Sequence, residues 1–155
     1  MNPVDRRNFL KMAAKGSAVV AAASVLPFSG VLEWTRQGAL KFRAVAGLPK
    51  NPLPTYASFV VEGNVDLDRG IGTVTKSLYA GAPAAMSTIL FPGTARTIRI
   101  TTVERSAGRV RLAGVVEGGE ALKGRETRNV AIVIDTSRKL AHADFLGTPV
   151  VLQVQ

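Results

Sequence analysis

Few residues of this chain could do acid–base or metal chemistry. His142 is the only histidine, and Asp144 lies two residues further along, which puts both side chains on one face of an extended strand. The pair could hold a general base and the group that orients it, but the small apolar residues around it favour a half-exposed polar face. Asp66 and Asp68 could likewise be paired carboxylates or calcium ligands. Calcium takes about six to eight oxygens, so a turn is the better interpretation of the two aspartates.

The sequence carries no motif for covalent or phosphate chemistry. It has no cysteine, which excludes disulfides, thiolate metal sites, a thiol nucleophile and a lipid-modified cysteine anchor. The nucleophile motifs G-x-S-x-G and S-x-x-K do not occur after residue 46. The glycines at 70–72 and 118–119 lack the lysine or helix start of a phosphate-binding loop. We therefore expect a non-enzymatic protein that needs no metal and no cofactor.

A set of arginines in the stretch RTIRITTVERSAGRVRLAGVVE, residues 96–117, is the strongest candidate for a binding surface. If Ser106-Ala107-Gly108 is a three-residue hairpin loop, Arg105 faces Arg109 and the two strands continue in step from there. The predicted core face consists of Ile98, Ile100, Thr102, Val110, Leu112 and Val116. The predicted solvent face consists of Thr97, Arg99, Thr101, Val103, Arg105, Arg109 and Arg111.

Guanidinium groups side by side on neighbouring strands repel one another, and the sequence places few acids near them, with Glu117 at the far end. They are therefore candidate contacts for phosphate, carboxylate or an acidic partner. The candidate binding residues are Arg96, Arg99, Arg105, Arg109 and Arg111. The alternative is a solvated face whose arginines serve solubility.

The basic character of the chain is strongest in its N-terminal third. The formal net charge is +9, but residues 1–46 hold seven basic and only two acidic residues. The remainder is mildly basic, with 13 basic and 9 acidic residues. This balance, and the lack of aromatic side chains among the arginines, argues against nucleic acid as a partner.

The elements that would position these residues are strands. Short runs of valine, isoleucine, threonine and aromatic residues alternate with glycine, proline, aspartate and serine. We predict strands at 56–66, 71–79, 96–105, 109–117, 129–135, 140–146 and 149–154. Turns are expected at 66–70 and 135–139, and the irregular segment between Tyr79 and Arg96 is a candidate lid or rim with one helical turn near 84–87.

These strands predict one all-β domain over residues 47–155. A single open layer would bury too little surface and expose its edges, so a meander of about seven antiparallel strands must form a small β-barrel or a β-sandwich. Glycines within the strands, at 63, 72 and 114, fit tightly bent strands and favour the barrel.

The N-terminus has the pattern of an export signal. Residues 5–11 read DRRNFLK, followed by an uninterrupted apolar run from Ala18 to Leu26 that is shorter than the roughly 20 residues of a membrane span. The residues that define the motif are Arg6, Arg7, Phe9, Leu10 and Lys11. The segment resembles the twin-arginine (Tat) signal peptides, with Asp5 in place of the usual Ser or Thr. The alternative is an N-terminal amphipathic helix with a chance arginine pair.

The twin-arginine resemblance, limited to about residues 1–30, implies a bacterial protein exported in the folded state by the twin-arginine translocase to the periplasm or the medium. We expect residues 1–46 to form the signal peptide and a leader, with cleavage after Ala23 or after Ala46, where small residues precede the bond. No stable membrane span is expected.

Three functions remain open at this point. The first is an exported, non-enzymatic binding or accessory protein of the cell envelope, whose partner is another exported protein or an anionic envelope polymer. The second is a lipocalin-like β-barrel that binds a small apolar ligand, with Met86, Ile89, Leu90 and Phe91 at its mouth. The third is a small barrel enzyme. A ligand cavity would favour the second, and a packed interior with a basic outer face would favour the first.

Overall fold

A computed structural model describes residues 33–34, 38–48, 56–118 and 121–155. Residues 33 and 34 are described by their backbone alone. The twin-arginine residues and the bond after Ala23 lie outside this range. Within it, nine strands form one antiparallel sheet. They are β1 (Glu33–Trp34), β2 (Ala39–Leu48), β3 (Ala57–Asp66), β4 (Ile71–Ala80), β5 (Arg96–Ser106), β6 (Arg109–Val116), β7 (Asn129–Asp135), β8 (Leu140–Phe145) and β9 (Thr148–Val154).

The sheet closes on itself. Each strand pairs with the next along the chain, and β2 also pairs with β9 through Ala44 opposite Val154 and Val45 opposite Gln153. Strands β2 to β9 therefore form a closed, eight-stranded, antiparallel β-barrel, and β1 pairs with the first residues of β2. The predicted small all-β barrel is confirmed, and closure rules out the sandwich.

The core lies inside the barrel. Side chains alternate along the strands, so that Val110 and Leu112 of β6 are buried while Arg109 and Arg111 are exposed. All eight barrel strands contribute buried apolar residues to one cluster, as expected for a barrel whose interior side chains can fill. Near one end the ring of Phe59 packs at a tilt against that of Phe145, with centroids 5.1 Å apart.

Two strand glycines show how tightly this sheet is bent. A Cβ at Gly63 would collide with the ring of Phe42, and a Cβ at Gly114 would collide with the carbonyl of Arg99 on the neighbouring strand. Only glycine fits where a backbone or ring approaches this closely. The sequence predicted bent strands at these glycines, and the close approaches are a finding of the structure.

The two ends of the barrel differ in their connections. We call one the turn end, because its strands are joined by short links. These links are residues 67–70, 107–108 and 136–139. We call the other the loop end, because it carries the longer links. The longer links include residues 81–95, with a 3-10 helix at Pro83–Ala85, and residues 117–128. The short turn at 146–147 lies at this end too. No helix among the described residues is long and apolar enough to cross a bilayer.

The seven predicted strands correspond to β3 through β9, with ends that agree to within one or two residues. The eighth barrel strand, β2, was assigned to the leader. It shows the alternation of a half-buried strand, because Leu40, Phe42 and Ala44 are buried while Lys41 is exposed. The domain boundary predicted after Ala46 falls inside β2, where residues on both sides of the boundary pair with β3.

Candidate functional site

The predicted arginine hairpin exists, but its register differs near the tip. Arg109 lies opposite Ser106, so the turn contains only Ala107 and Gly108, with Gly108 at a φ of 71°. Arg105 consequently faces Val110 and not Arg109. The prediction of a three-residue loop was therefore wrong.

A β-bulge restores the predicted pairing further along the hairpin. Ile100 lies opposite Gly114 and Thr102 opposite Ala113, which leaves Thr101 as the extra residue. Because a bulge reverses the side of every later side chain, Val103 packs against the core and Thr102 is exposed, the opposite of what the sequence predicted. Arg105 changes side in the same way: it lies opposite the buried Val110, and its side chain is exposed at the turn end of the barrel. The other members of the predicted core face are buried. They are Ile98, Ile100, Val110, Leu112 and Val116.

Three of the five candidate arginines meet in one place. An open cleft of about 350 Å³ lies at the turn end, on the outside of β5, β6 and β7. Its lining consists of Glu104, Arg105, Ser106, Arg109, Arg111 and Val133. We call this the arginine cleft. The strand register brings four of these residues together, since Arg111 lies directly opposite Glu104 and Arg109 opposite Ser106.

The arginines are paired with acids, contrary to the expectation that few acids lie near them. Each exposed arginine of the hairpin makes one contact with a carboxylate. The pairs are Arg105 with Asp68 (2.7 Å), Arg111 with Glu104 (3.1 Å), Arg99 with Glu117 (3.1 Å) and Arg109 with Asp135 (3.4 Å). Asp68 comes from the 67–70 turn and Asp135 from β7, and sequence distance alone does not reveal either contact.

Asp135 is the best anchored of these acids. Its carboxylate accepts hydrogen bonds from the Ser137 hydroxyl (2.6 Å) and the Arg138 backbone N–H (3.0 Å), and its side chain is buried. The Ser137 bond, followed by the Arg138 bond, lowers the pKa of Asp135 from 3.8 to about 2, with a smaller contribution from Arg109. Asp135 therefore stays ionised and fixes the 136–139 turn beside the cleft.

The cleft keeps unused hydrogen-bond donors. A guanidinium carries several N–H groups, and the contacts of Arg105 and Arg111 with their acids use one nitrogen each. Both acids are largely exposed, and an exposed ion pair contributes about 1 kcal/mol or less. An anion that enters the cleft can therefore meet the remaining donors or displace Glu104 and Asp68 at little cost.

The other two candidate arginines lie elsewhere. Arg99 is exposed on the outer face of β5, beyond the bulge, and binds Glu117. Arg96 is buried at the loop end, where it binds Glu126 at 2.9 Å and donates to the carbonyls of Gly93 and Ala95. The structure therefore separates Arg96 from the arginine cleft.

Of the four remaining candidate residues, the three aspartates have structural partners. His142 is exposed on β8, whereas Asp144 accepts hydrogen bonds from Lys76 and from the backbone of Gly147. Asp66 accepts the backbone N–H groups of residues 68 and 69, as a turn aspartate does, and Asp68 binds Arg105. The described part of the chain contains no group of three or more potential metal ligands.

Sequence reasoning missed a second charged region, inside the loop end. Lys76 of β4 is buried, and its Nζ donates to the backbone carbonyl of Asp144 at 3.0 Å and approaches the carboxylate at 3.4 Å. Because β4 and β8 are opposite walls of the barrel, this side chain crosses the interior. The signal was present in the strand alternation, which puts Lys76 on the same face as Val74.

A second open cleft, of about 340 Å³, lies on the outside of β2, β3 and β4. Its charged residues are Lys41, Arg43 and Glu62, and Arg43 pairs with Glu62 at 3.0 Å. Because it contains one guanidinium group and the arginine cleft contains three, it offers fewer converging donors than the arginine cleft.

Comparison of the chain with protein-family models, curated proteins and solved structures finds no match. The assignment of a function therefore rests on the geometry of the molecule itself.

Proposed function

We propose that this protein is a non-enzymatic binding protein that recognises carboxylate or phosphate groups of an exported partner protein or an anionic envelope polymer. The arginine cleft carries the proposal, because Arg105, Arg109 and Arg111 converge on one open concavity. Guanidinium groups with free donors suit both kinds of anion.

The surroundings of the cleft support binding more than catalysis. Its lining includes a serine and a glutamate, but neither has a histidine beside it, since His142 lies on β8 outside the lining. A serine without an adjacent base is a weak nucleophile. The barrel interior beneath the cleft is filled by buried aliphatic side chains such as Leu112 and Ile134.

The binding test compares two matched double variants of the full chain. Arg109→Gln with Arg111→Gln removes two charges from the cleft, and Lys41→Gln with Arg69→Gln removes two exposed charges outside both the cleft and the loop end. Poly-glutamate and polyphosphate serve as probes, measured by calorimetry at several salt concentrations. Hydrogen bonds to charged groups contribute about 1.5–3 kcal/mol, so the cleft variant should bind at least about tenfold more weakly, with a flatter salt dependence.

The control variant should bind like the wild type if the cleft is the site. Equal losses in both variants would mean that net charge alone attracts the probes, which contradicts the proposal. A loss for poly-glutamate only would identify a carboxylate-bearing partner, and a loss for polyphosphate only a phosphate-bearing one.

Export through the twin-arginine pathway is part of the proposal. It is supported by the motif around Arg6 and Arg7. Cleavage after Ala23 leaves β2 whole, whereas cleavage after Ala46 removes eight of its ten residues and opens the barrel. We therefore propose Ala23 as the position, and N-terminal sequencing of the exported protein tests it. Arg6→Lys with Arg7→Lys should leave the precursor in the cytoplasm, and normal export of that variant would refute the pathway.

A lipocalin-like function is the alternative that the closed eight-stranded barrel supports. A ligand would have to enter at the loop end, past Lys76 and Asp144. Titration with an apolar dye such as N-phenyl-1-naphthylamine tests this, since saturable binding at one dye per chain that is abolished by Leu112→Trp would place a ligand inside the barrel. Weak, unsaturable binding would exclude it.

A further inference from the structure

Exposed apolar side chains are concentrated at the loop end. Six large apolar residues are exposed among those described, and four of them lie at this end. These four are Tyr56, Ile89, Leu90 and Phe91, which we call the apolar rim. The other two, Ile71 and Val151, lie apart on β4 and β9. Single exposed apolar residues are ordinary, but a contiguous group marks an interaction surface.

The apolar rim is held in place by backbone hydrogen bonds. Leu90 forms a β-bridge with Tyr79. The Phe91 N–H donates to the carbonyl of Leu78 at 2.8 Å, and the Ala80 N–H donates to the carbonyl of Ile89 at 2.9 Å. On the other side of the same link, the Gly81 N–H donates to the Tyr56 carbonyl at 2.8 Å. The four side chains thus extend from backbone attached to one end of β4.

Exposed cations flank the apolar rim. Residues 77–95 contain no charged side chain, and the neighbouring 121–128 segment supplies Lys123, Arg125 and Arg128. The Nζ of Lys123 lies 3.5 Å from the carbonyl of Pro92, next to Phe91. Among the described residues none of these three cations forms an ion pair with a carboxylate, since the nearby acid Glu126 is buried against Arg96.

We infer that the loop end binds the surface of an anionic lipid bilayer. The apolar rim would enter the boundary between headgroups and acyl chains, and the flanking cations would contact the lipid phosphates. The segment that carries most of the apolar rim has no acid in residues 77–95, and the cations beside it form no ion pair among the described residues. This combination matches the two sources of affinity for such a surface, apolar burial and electrostatic attraction. The inference concerns the end of the barrel opposite to the arginine cleft and does not depend on it.

The experiment uses the absence of cysteine from the chain. Ile89→Cys and Ile71→Cys are made separately in the full chain and labelled with the polarity-sensitive dye nitrobenzoxadiazole. Both positions are exposed isoleucines, 66% and 53% accessible, at opposite ends of the barrel. The dye responds only to the polarity around its own position. If another apolar segment of the chain binds the lipid, the dye at position 89 therefore does not respond.

Vesicles of phosphatidylcholine mixed with phosphatidylglycerol should cause a blue shift and a severalfold gain of emission at position 89 and no change at position 71. Vesicles of phosphatidylcholine alone should give a smaller response. No response at position 89, equal responses at both positions, or equal responses to both lipids would overturn the inference. Binding of a soluble acidic protein in place of vesicles would identify a protein surface instead.

Matched charge variants give the second readout in the labelled protein. Lys123→Gln and Arg125→Gln should each weaken partitioning to the anionic vesicles by about fivefold, the usual effect of one basic residue near a charged membrane. Arg109→Gln with Arg111→Gln should leave it unchanged. The reverse result would overturn the membrane surface while leaving the arginine cleft supported as an anion site. If the wild-type protein binds the anionic vesicles but neither poly-glutamate nor polyphosphate, the arginine cleft is refuted and the membrane surface stands.

Discussion

Two arginine–glutamate pairs at opposite ends of the barrel make nearly the same contact in different surroundings. Arg96 and Glu126, at the loop end, are 2.9 Å apart with side chains 2% and 7% exposed. Arg111 and Glu104, at the turn end, are 3.1 Å apart with side chains 53% and 60% exposed. The distances are alike, so burial determines what each pair does.

The buried pair holds two links of the loop end together, and the exposed pair remains accessible to a ligand. Glu126 accepts the backbone N–H of Lys123 as well as the Arg96 guanidinium, and Arg96 also donates to backbone carbonyls of the 81–95 link. The two long links of the loop end are therefore joined through this pair. In the arginine cleft, water and incoming anions can compete for both partners. Glu104 therefore orients Arg111 while leaving other N–H groups of its guanidinium available to a ligand.

The largest expected effect comes from breaking the buried pair. Glu126→Gln breaks the buried ion pair with Arg96, and removing one partner of a buried pair typically costs about 3–5 kcal/mol. Urea unfolding followed by circular dichroism measures this loss. Replacing both partners, with Arg96→Met and Glu126→Leu, should recover much of the stability, because the buried charge of Arg96 is then removed as well. A Glu126→Gln loss no larger than that of Glu104→Gln would contradict the role given to burial.

The next largest loss of stability is expected at a buried residue of β6, compared with its exposed neighbour. Leu112 of β6 is fully buried, while Arg111 beside it points outward. Leu112→Ala should lower the free energy of unfolding by about 2–5 kcal/mol, the cost of truncating a buried leucine. The matched change Arg111→Ala should cost less than about 1 kcal/mol. Similar losses for both variants would refute the inside–outside alternation of β6.

A smaller, pH-dependent effect is expected at Asp135. Its pKa is lowered in the folded protein to about 2 from 3.8, so its ionised form stabilises the fold above about pH 4, and this contribution is lost as the pH falls through about 2. Asp135→Asn should therefore be less stable than the wild type at pH 5, and the difference should shrink on acidification. Denaturant unfolding between pH 5 and pH 2 measures it. A difference that is constant over this range would show that the charge of Asp135 is not involved.

The smallest effect should come from the exposed pair itself. In a double-mutant cycle with Glu104→Gln and Arg111→Gln, the coupling energy should be about 0.2–1 kcal/mol and should fall with added salt. A coupling of several kcal/mol would show that the pair is structural like Arg96 with Glu126, and would weaken the case for the arginine cleft as a site open to ligands.

The sequence predicted the parts of the fold that depend on local pattern. Strand alternation and turn residues located β3 to β9, and strand glycines favoured the barrel. The same alternation was present in β2, where Leu40 and Phe42 alternate with Lys41 and Arg43. There the small residues Ala44 and Ala46 matched a cleavage site, and this competing interpretation concealed the strand.

The candidate site was predicted less completely, because its details depend on long-range contacts. The bulge at Thr101 inserts one residue into β5, and a sequence does not show which of several positions will bulge. The acids that pair with Arg105 and Arg109 come from other hairpins, 37 and 26 residues away. Arg96 was grouped with the candidate binding arginines because a lone arginine at a strand start does not reveal its buried partner.

The pairing of β2 with β9 also sets a requirement on the order of events during synthesis. The strand that completes the ring, β9, leaves the ribosome last of the eight, more than 100 residues after β2. Until then β2 and β8 are open sheet edges, which are prone to pair with other chains. The barrel can close only after β9 has emerged. A chaperone that covers the β2 edge of the nascent chain would protect this protein from pairing with other chains until then.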